Sequence, residues 1–525
     1  MYHFAMTHPK KQPAFWPLGC FAVAFAAIAC MRGMGMDHAI LYQAGLRVLD
    51  GQVLYTDFFL PHGPVSVYLA ALFLAIPPTG GMGLLVAAAV MNLAATTLVW
   101  QIVRIATKDD RYALVGGILT ALWFTPVFGW FYIDHLAYLF VLASLYCLLH
   151  GRASNSTLMV AASALCLATA FHTKLTVAVP GLGALVVSSL IAYGIKETFW
   201  SRQAKTFIVA LITCQAAIFF ILFSTIDGAA YVKHTYVLPF GYWVEAPSPK
   251  RTIDLVWSLL TPYRIDPVRM IRELGTGRML FYPIALFIYL GYWQILRMKM
   301  DDHRRFALAA LILTTLLGSA MISRKYTHMF FGIGGVIPII LFGLRHWPRW
   351  AKLPPVTVIG LAAIVFGNFE RPYLIKADPY LASTDLWPIR VPLSRRSEFF
   401  RQVTELIKSP DSIVANLDDR SGFIPLLAAR RAARNTEVLH HDALTLPYHP
   451  VQYEAWQRQN IAALDRYPVN YVIATSPVWK GFRSAAGDGS DQGRPAPLLH
   501  DYLSRNYQPL YSSDGLQVLR QAERF

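Results

Sequence analysis

Long apolar runs alternate with short polar breaks along this chain. The pattern predicts about eleven membrane-crossing helices, over 14–31, 82–103, 112–129, 136–150, 156–171, 175–194, 206–225, 279–296, 306–322, 329–344 and 354–369. A helix needs about 20 mostly apolar residues to cross ~30 Å of hydrocarbon, and inside lipid it must satisfy its own backbone. Two long polar stretches interrupt the pattern, over 32–81 and 226–278. Within the first, 39–49 reads as a helix closed by Gly51 at the position after the C-cap. The apolar piece 64–76 is too short for a span and reads as a re-entrant or interfacial helix.

From about residue 378 the pattern becomes that of a soluble fold. Strands are expected at 412–417 and 469–475, and helices up to 434 and over 497–507. A hairpin is expected where 511–513 and 516–519 flank Asp514-Gly515. Residues 485–494, rich in Gly, Asp and Ser, read as a flexible loop. The predicted architecture is a polytopic α-helical membrane domain over 1–377, followed by a soluble extracytoplasmic α/β domain over 378–525. That second unit is long enough for its own core.

Composition agrees with this pattern: of 525 residues, 55% are hydrophobic and 15% charged, against about 25% charged in soluble proteins. The net charge of +16 invites a nucleic-acid reading. Placement of the cations argues against it. The N-terminal segment and five of the segments between spans together hold 16 Lys and Arg, and the short segments on the other side hold 5. The positive-inside rule puts the first set in the cytoplasm, with the N-terminus, and sends 32–81, 226–278 and the C-terminal domain outside. A multi-pass protein of the plasma (inner) membrane follows, and residues 14–31 read as a retained first helix rather than a signal peptide.

All five cysteines lie in apolar runs, so the C-terminal part carries no disulfide framework. No P-loop, zinc-ligand spacing or dinucleotide-binding glycine pattern is present. There is also no repeat of solenoid period.

Ionisable groups gather at the expected outer ends of the spans. Asp37, Asp57 and Asp134 supply carboxylates, and Lys174, Arg324, Lys325 and His328 supply cations. Such groups at membrane depth are costly and usually face a functional cavity. A carboxylate can take the proton of an attacking hydroxyl, and Lys or Arg can hold a phosphate. Together they fit a reaction in which a hydroxyl attacks and a phosphate leaves. Structural readings stand beside these: Lys174 and Arg324 as snorkelling cations, Asp57 as a turn cap, His62 as a packing group, and Asp37 or Asp134 as helix N-caps.

Two segments in 32–81 are distinctive: Gly51-Gln52-Val53-Leu54-Tyr55-Thr56-Asp57-Phe58 and Pro61-His62-Gly63-Pro64. Preceded by Asp37, they resemble the first outer loop of the GT-C glycosyltransferases that use polyprenyl-phosphate sugars. The nearest pattern is that of bacterial relatives of protein mannosyltransferases and the lipid A aminoarabinose transferase. Thr173-Lys174 and the basic segment 324–328 resemble further features of that superfamily.

The resemblance implies a lipid-phosphate sugar donor bound at the extracytoplasmic face and one inverting displacement by an acceptor hydroxyl. The acceptor would be a lipid, a glycan or a protein. Asp37 would be the general base, with Asp57 orienting it or the sugar. Lys174, Arg324, Lys325 and His328 would hold the donor phosphate. His38, Tyr55, His62 and Asp134 would position substrate, and 231–263 would cover the site or receive the acceptor. Where these proteins often carry Asp-Glu, this chain has Asp37-His38, which leaves the base on Asp37 alone and the part of a divalent metal open.

Three other classes compete, one of them a structural membrane scaffold that binds partners through the C-terminal domain, which leaves the loop after the first span unexplained. A polymerase or ligase using a lipid-diphosphate donor would draw on Arg264, Arg269 and Arg272. A transporter or flippase predicts paired repeats and broken helices at the midplane, and the sequence shows no repeats.

Overall fold

The computed structural model describes residues 15–30, 36–58, 60, 62–76, 82–124, 131–237, 299–322, 330–343, 380–383, 390–392, 406, 414–417, 450–466, 469–475, 497–513 and 516–522. The membrane part is helical: α1 Phe15–Cys30, α2 Met36–Leu49, α3 Pro64–Leu74, α4 Met82–Thr107, α5 Asp110–Trp123, α6 Ile133–Ser154, α7 Thr157–Phe171, α8 Leu175–Phe199, α9 Arg202–Thr225 and the short α10 Gly228–Val232. A π-helical turn, Lys233–Val237, continues α10, and α11 Asp302–Ile322 and α12 Phe330–Gly343 follow.

Among the described residues, four helices are long and apolar enough to cross a membrane: α4 from Gly83, α6, α8 and α9. Helices α1, α5, α7, α11 and α12 coincide with five further predicted spans. The predicted spans 279–296 and 354–369 lie outside the described residues.

These helices associate through small residues and buried polar groups, as helices in lipid do. Asn92 on α4 donates to the carbonyls of Ala22 on α1 (2.8 Å) and Ala121 on α5 (3.0 Å). The hydroxyls of Ser144 on α6 and Ser163 on α7 lie 2.9 Å apart. A Cβ on Gly334 would stand 2.7 Å from the Thr120 amide nitrogen, so α12 meets α5 at backbone contact. Helix α8 is broken near its end by Gly194, whose φ of 76° no helix allows.

The C-terminal elements are β1 Tyr380–Ser383, β2 Arg390–Pro392, β3 Val414–Leu417, α13 Pro450–Arg466, β4 Tyr471–Thr475, α14 Pro497–Asn506, β5 Tyr507–Ser513 and β6 Leu516–Gln521. Strands β1 and β2 form an antiparallel pair. The other four make one mixed sheet of order β3-β4-β6-β5, with β3 and β4 parallel. The expected hairpin is present, Ser513 opposite Leu516. Helix α13 was not expected. It packs on α14 and caps it: the Gln457 Oε1 accepts from the amides of Leu498 (3.0 Å) and Leu499 (3.3 Å). The helix expected up to 434 and the loop 485–494 lie outside the described residues.

Candidate active site

The loop between α2 and α3 is a tight, self-closing structure. The Asp57 Oδ2 accepts from the Val53 amide at 2.7 Å, and the Tyr55 amide donates to the Phe58 carbonyl at 2.6 Å. Tyr55 pays for this closure with a left-handed φ of 66°, a conformation uncommon outside glycine. Its ring is fully buried and its hydroxyl donates to the His62 carbonyl, with the Thr235 hydroxyl 3.1 Å away. Tyr55 therefore joins both halves of the loop motif to the start of 226–278.

The Pro-His-Gly-Pro turn sits directly on the turn between α7 and α8. The Gly63 amide donates to the Thr173 carbonyl at 3.1 Å and the Val65 amide to the His172 carbonyl at 3.2 Å. A Cβ on Gly63 would lie 1.9 Å from the His172 oxygen, so only glycine fits there. Gly63→Ala is expected to push the two turns apart and cost about 1–3 kcal/mol, the usual range for overpacking. A thermal unfolding scan of the purified variant checks this.

Lys174 follows that contact immediately and is the N-cap of α8. Its ammonium pairs with the Asp134 carboxylate, which is fully buried, while the Lys174 side chain is 17% exposed. The N-cap reading of Asp134 is thereby corrected. Tyr132 is the N-cap of α6, and Asp134 lies in the first helical turn facing a cation. Next to it His135 is also fully buried, with the Phe124 and Tyr132 rings 5.0 and 5.5 Å away. Asp37 and His38 are the second and third residues of α2, whose helix begins earlier than expected. His62 is half-buried beside Gly63. Arg324, Lys325 and His328, with Arg264, Arg269 and Arg272, lie outside the described residues. Helix α12, which follows 324–328, meets α6 near its start: a Cβ on Gly332 would clash with the hydroxyls of Thr315 and Tyr138, one turn beyond Asp134.

Three groups at this end escaped the sequence reading. Arg47 on α2 is buried, with its guanidinium 5.4 Å from the Phe58 ring centre. Burial lowers it to about 10, partly offset by Asp50, so it stays charged at neutral pH. A cation near a helix end usually faces water, and nothing in the sequence marked this one as buried. His172 is the second. Its Nδ1 lies 2.7 Å from the Tyr231 hydroxyl and its Nε2 2.7 Å from the Gln215 Oε1. Tyr231 is the third, fully buried, its ring centre 5.1 Å from that of Tyr55.

Burial pushes His172 down to about 4, against a smaller upward pull from Gln215. The imidazole is thus neutral at physiological pH and works as a brace. Because the folded value lies below the unfolded one of about 6.5, the unfolded state binds more protons between them. Stability is then fully present above pH ~6.5 and falls as pH drops towards 4. His172→Gln is expected to flatten that part of the stability–pH profile, measured by unfolding between pH 4 and 7.

Among the described residues no three His, Cys, Asp or Glu side chains come together as metal ligands. What they do offer is one buried ion pair, a rigid polar turn pressed on it, and an aromatic wall of Tyr55, Tyr231 and Tyr236.

A family model for dolichyl-phosphate-mannose-protein mannosyltransferases matches residues 61–225. The match takes in Pro61-His62-Gly63-Pro64, Asp134 and Lys174, and begins after Asp37. No curated protein matches the chain in sequence. Among solved structures, the apo oligosaccharyltransferase of Archaeoglobus fulgidus is similar at TM-score 0.52 and 11% identity, over 98% of this chain and 75% of that one. The same protein tethered to an acceptor peptide with the NVT sequon gives TM-score 0.51 and 12% identity, over 98% and 74%. ArnT of Cupriavidus metallidurans bound to undecaprenyl phosphate gives 0.50 and 13%, over 97% and 98%. The resemblance to GT-C glycosyltransferases is borne out by these matches.

Proposed function

We propose that this chain is an integral-membrane glycosyltransferase that moves a sugar from a polyprenyl-phosphate donor to an acceptor hydroxyl at the extracytoplasmic face. The observation that carries this reading is the buried Lys174–Asp134 pair, next in the chain to the His172-Thr173 backbone that the Pro-His-Gly-Pro turn bonds, in a fold shared with a protein bound to undecaprenyl phosphate. Lys174 holds a cation at the expected membrane face, where the phosphate of a lipid donor would sit with its chain in the bilayer. Arg324, Lys325 and His328 complete the phosphate site.

Asp37 takes the proton of the acceptor hydroxyl. The freed oxygen attacks the anomeric carbon, and the bond from that carbon to the phosphate oxygen breaks with its electron pair. The configuration inverts. Cations that meet the leaving phosphate in a water-poor site stabilise its growing charge by several kcal/mol. Of the other carboxylates described at this end, Asp57 closes the loop, Asp134 meets Lys174 and Asp227 caps α10, while the exposed Asp50 acts on the Arg47 charge. His38, Tyr55 and His62 shape the sugar subsite, and the tyrosine wall faces the acceptor.

The similarity to an oligosaccharyltransferase favours a second reading, transfer of a preassembled glycan from a lipid diphosphate. One experiment separates the two. Purified protein in nanodiscs is given polyprenyl-phosphate monosaccharides and lipid-diphosphate oligosaccharides, and release of the lipid carrier is followed. Turnover of the first set alone is expected. Turnover of only the second supports the oligosaccharide reading, and failure to bind or consume either sinks both.

A further inference from the structure

At the end of the bundle away from Lys174, α6 finishes with Arg152, and its surroundings are unusual for a cation. The guanidinium carbon lies 4.2 Å from the Tyr193 ring centre and 5.8 Å from that of Phe306. Among the described residues its Nη2 donates to the Ser189 hydroxyl at 3.3 Å, and its Nε is buried without an acceptor. Arginine carries five donors in a fork that suits an oxyanion, and a buried donor left unmet is costly.

The two carboxylates at the start of α11 are taken, and Glu197 on α8 is exposed. Asp301 pairs with Lys108 at 3.2 Å and accepts from the Arg304 amide at 2.9 Å, and Asp302 pairs with Arg305 at 3.3 Å. From 303 to 369 the sequence contains no Asp or Glu. The half-buried His303 lies within reach of the Asp301 charge and, opposing it, those of Lys108 and Arg152. The surplus at this end is positive.

Its depth points to the ligand. Just beyond Tyr193, Ile195 on α8 is 71% and the C-cap residue Trp200 68% exposed. An exposed Trp at the end of an apolar helix marks the headgroup layer, and basic pockets between helices at that level hold anionic lipid heads. We propose that the α6–α8–α11 end, with Arg152 at its centre and His150, His303 and Lys108 around it, is a binding site for a phosphate oxyanion, supplied by the headgroup of an anionic phospholipid. This site is separate from the donor site and does not depend on the proposed reaction.

The test is native mass spectrometry of the detergent-purified full chain, titrated with phosphatidylglycerol, phosphatidylcholine or inorganic phosphate. Wild type is expected to retain phosphatidylglycerol about tenfold better than phosphatidylcholine, the scale of one charge-assisted hydrogen bond. Arg152→Gln should abolish that preference, while Arg152→Lys, which keeps the charge and loses the fork, should hold part of it. Lys205→Gln removes an exposed charge on the neighbouring α9 and should change nothing. Displacement of phosphatidylglycerol by inorganic phosphate at equal concentration would keep the site and assign it to a free anion. Equal retention of both lipids by wild type, an unchanged preference in Arg152→Gln, or an equal loss in Lys205→Gln would each overturn the proposal. If Arg152→Gln does not fold, Arg152→Lys decides: an undiminished preference counts against the fork.

Discussion

Asp37→Asn protein is expected to fold, to keep its lipid-phosphate donor, and to transfer sugar about 10²–10⁴-fold more slowly than wild type, the usual contribution of a general base. Asparagine matches aspartate in shape and cannot accept the proton. The cost to the fold is small, because a carboxylate in the first turn of a helix such as α2 gains only about 0.3–1 kcal/mol from the helix dipole. Asp57 supplies the control. Its Oδ2 accepts a backbone amide, and the carbonyl of asparagine can do the same, so Asp57→Asn should retain most activity. Asp57→Ala should open the loop and lose donor binding and transfer together. Rates and donor retention measured on the same samples separate these outcomes. Wild-type transfer by Asp37→Asn would remove Asp37 from the chemistry, and a collapse in Asp57→Asn would move the base there.

The parts of this architecture that announce themselves in sequence are those governed by one residue type at a time. Long apolar runs gave the helices, because lipid leaves the backbone no other solution. Asp514-Gly515 between apolar segments signalled the β5–β6 turn through local chemistry alone. Helix α13 was hidden because its apolar positions are sparse and it is held by a partner, Gln457 capping α14. The loop motif was legible, but its partner was not. Nothing in Pro61-His62-Gly63-Pro64 says that it will bond the backbone of His172 and Thr173, more than a hundred residues away. The sequence left Asp134 open between a helix cap and a site residue for the same reason: a carboxylate near a helix start looks alike whether it meets an amide or a distant lysine. Arg47 and His172 stayed invisible because burial is a property of the packing around them.

The Asp134–Lys174 pair allows the second large prediction. Asp134 is fully buried and Lys174 nearly so, so removing either partner strands a charge in a low-dielectric site and should cost about 3–5 kcal/mol. Asp134→Asn and Lys174→Gln alone should therefore both unfold more readily. Replacing both leaves two neutral amides that can bond each other, and much of the stability should return. The stability cycle yields a coupling energy for the pair, since neighbouring groups are not additive. Donor retention should follow a different pattern. If Lys174 serves only the fold, the double variant recovers binding along with stability. If it holds the phosphate, the double variant is stable and empty, whereas Asp134→Asn, its lysine freed from its counter-ion, still binds at low temperature. The fork arises because the proposed donor site gives one ammonium two anions, the buried Asp134 carboxylate that fixes where it sits and the lipid phosphate it would meet there.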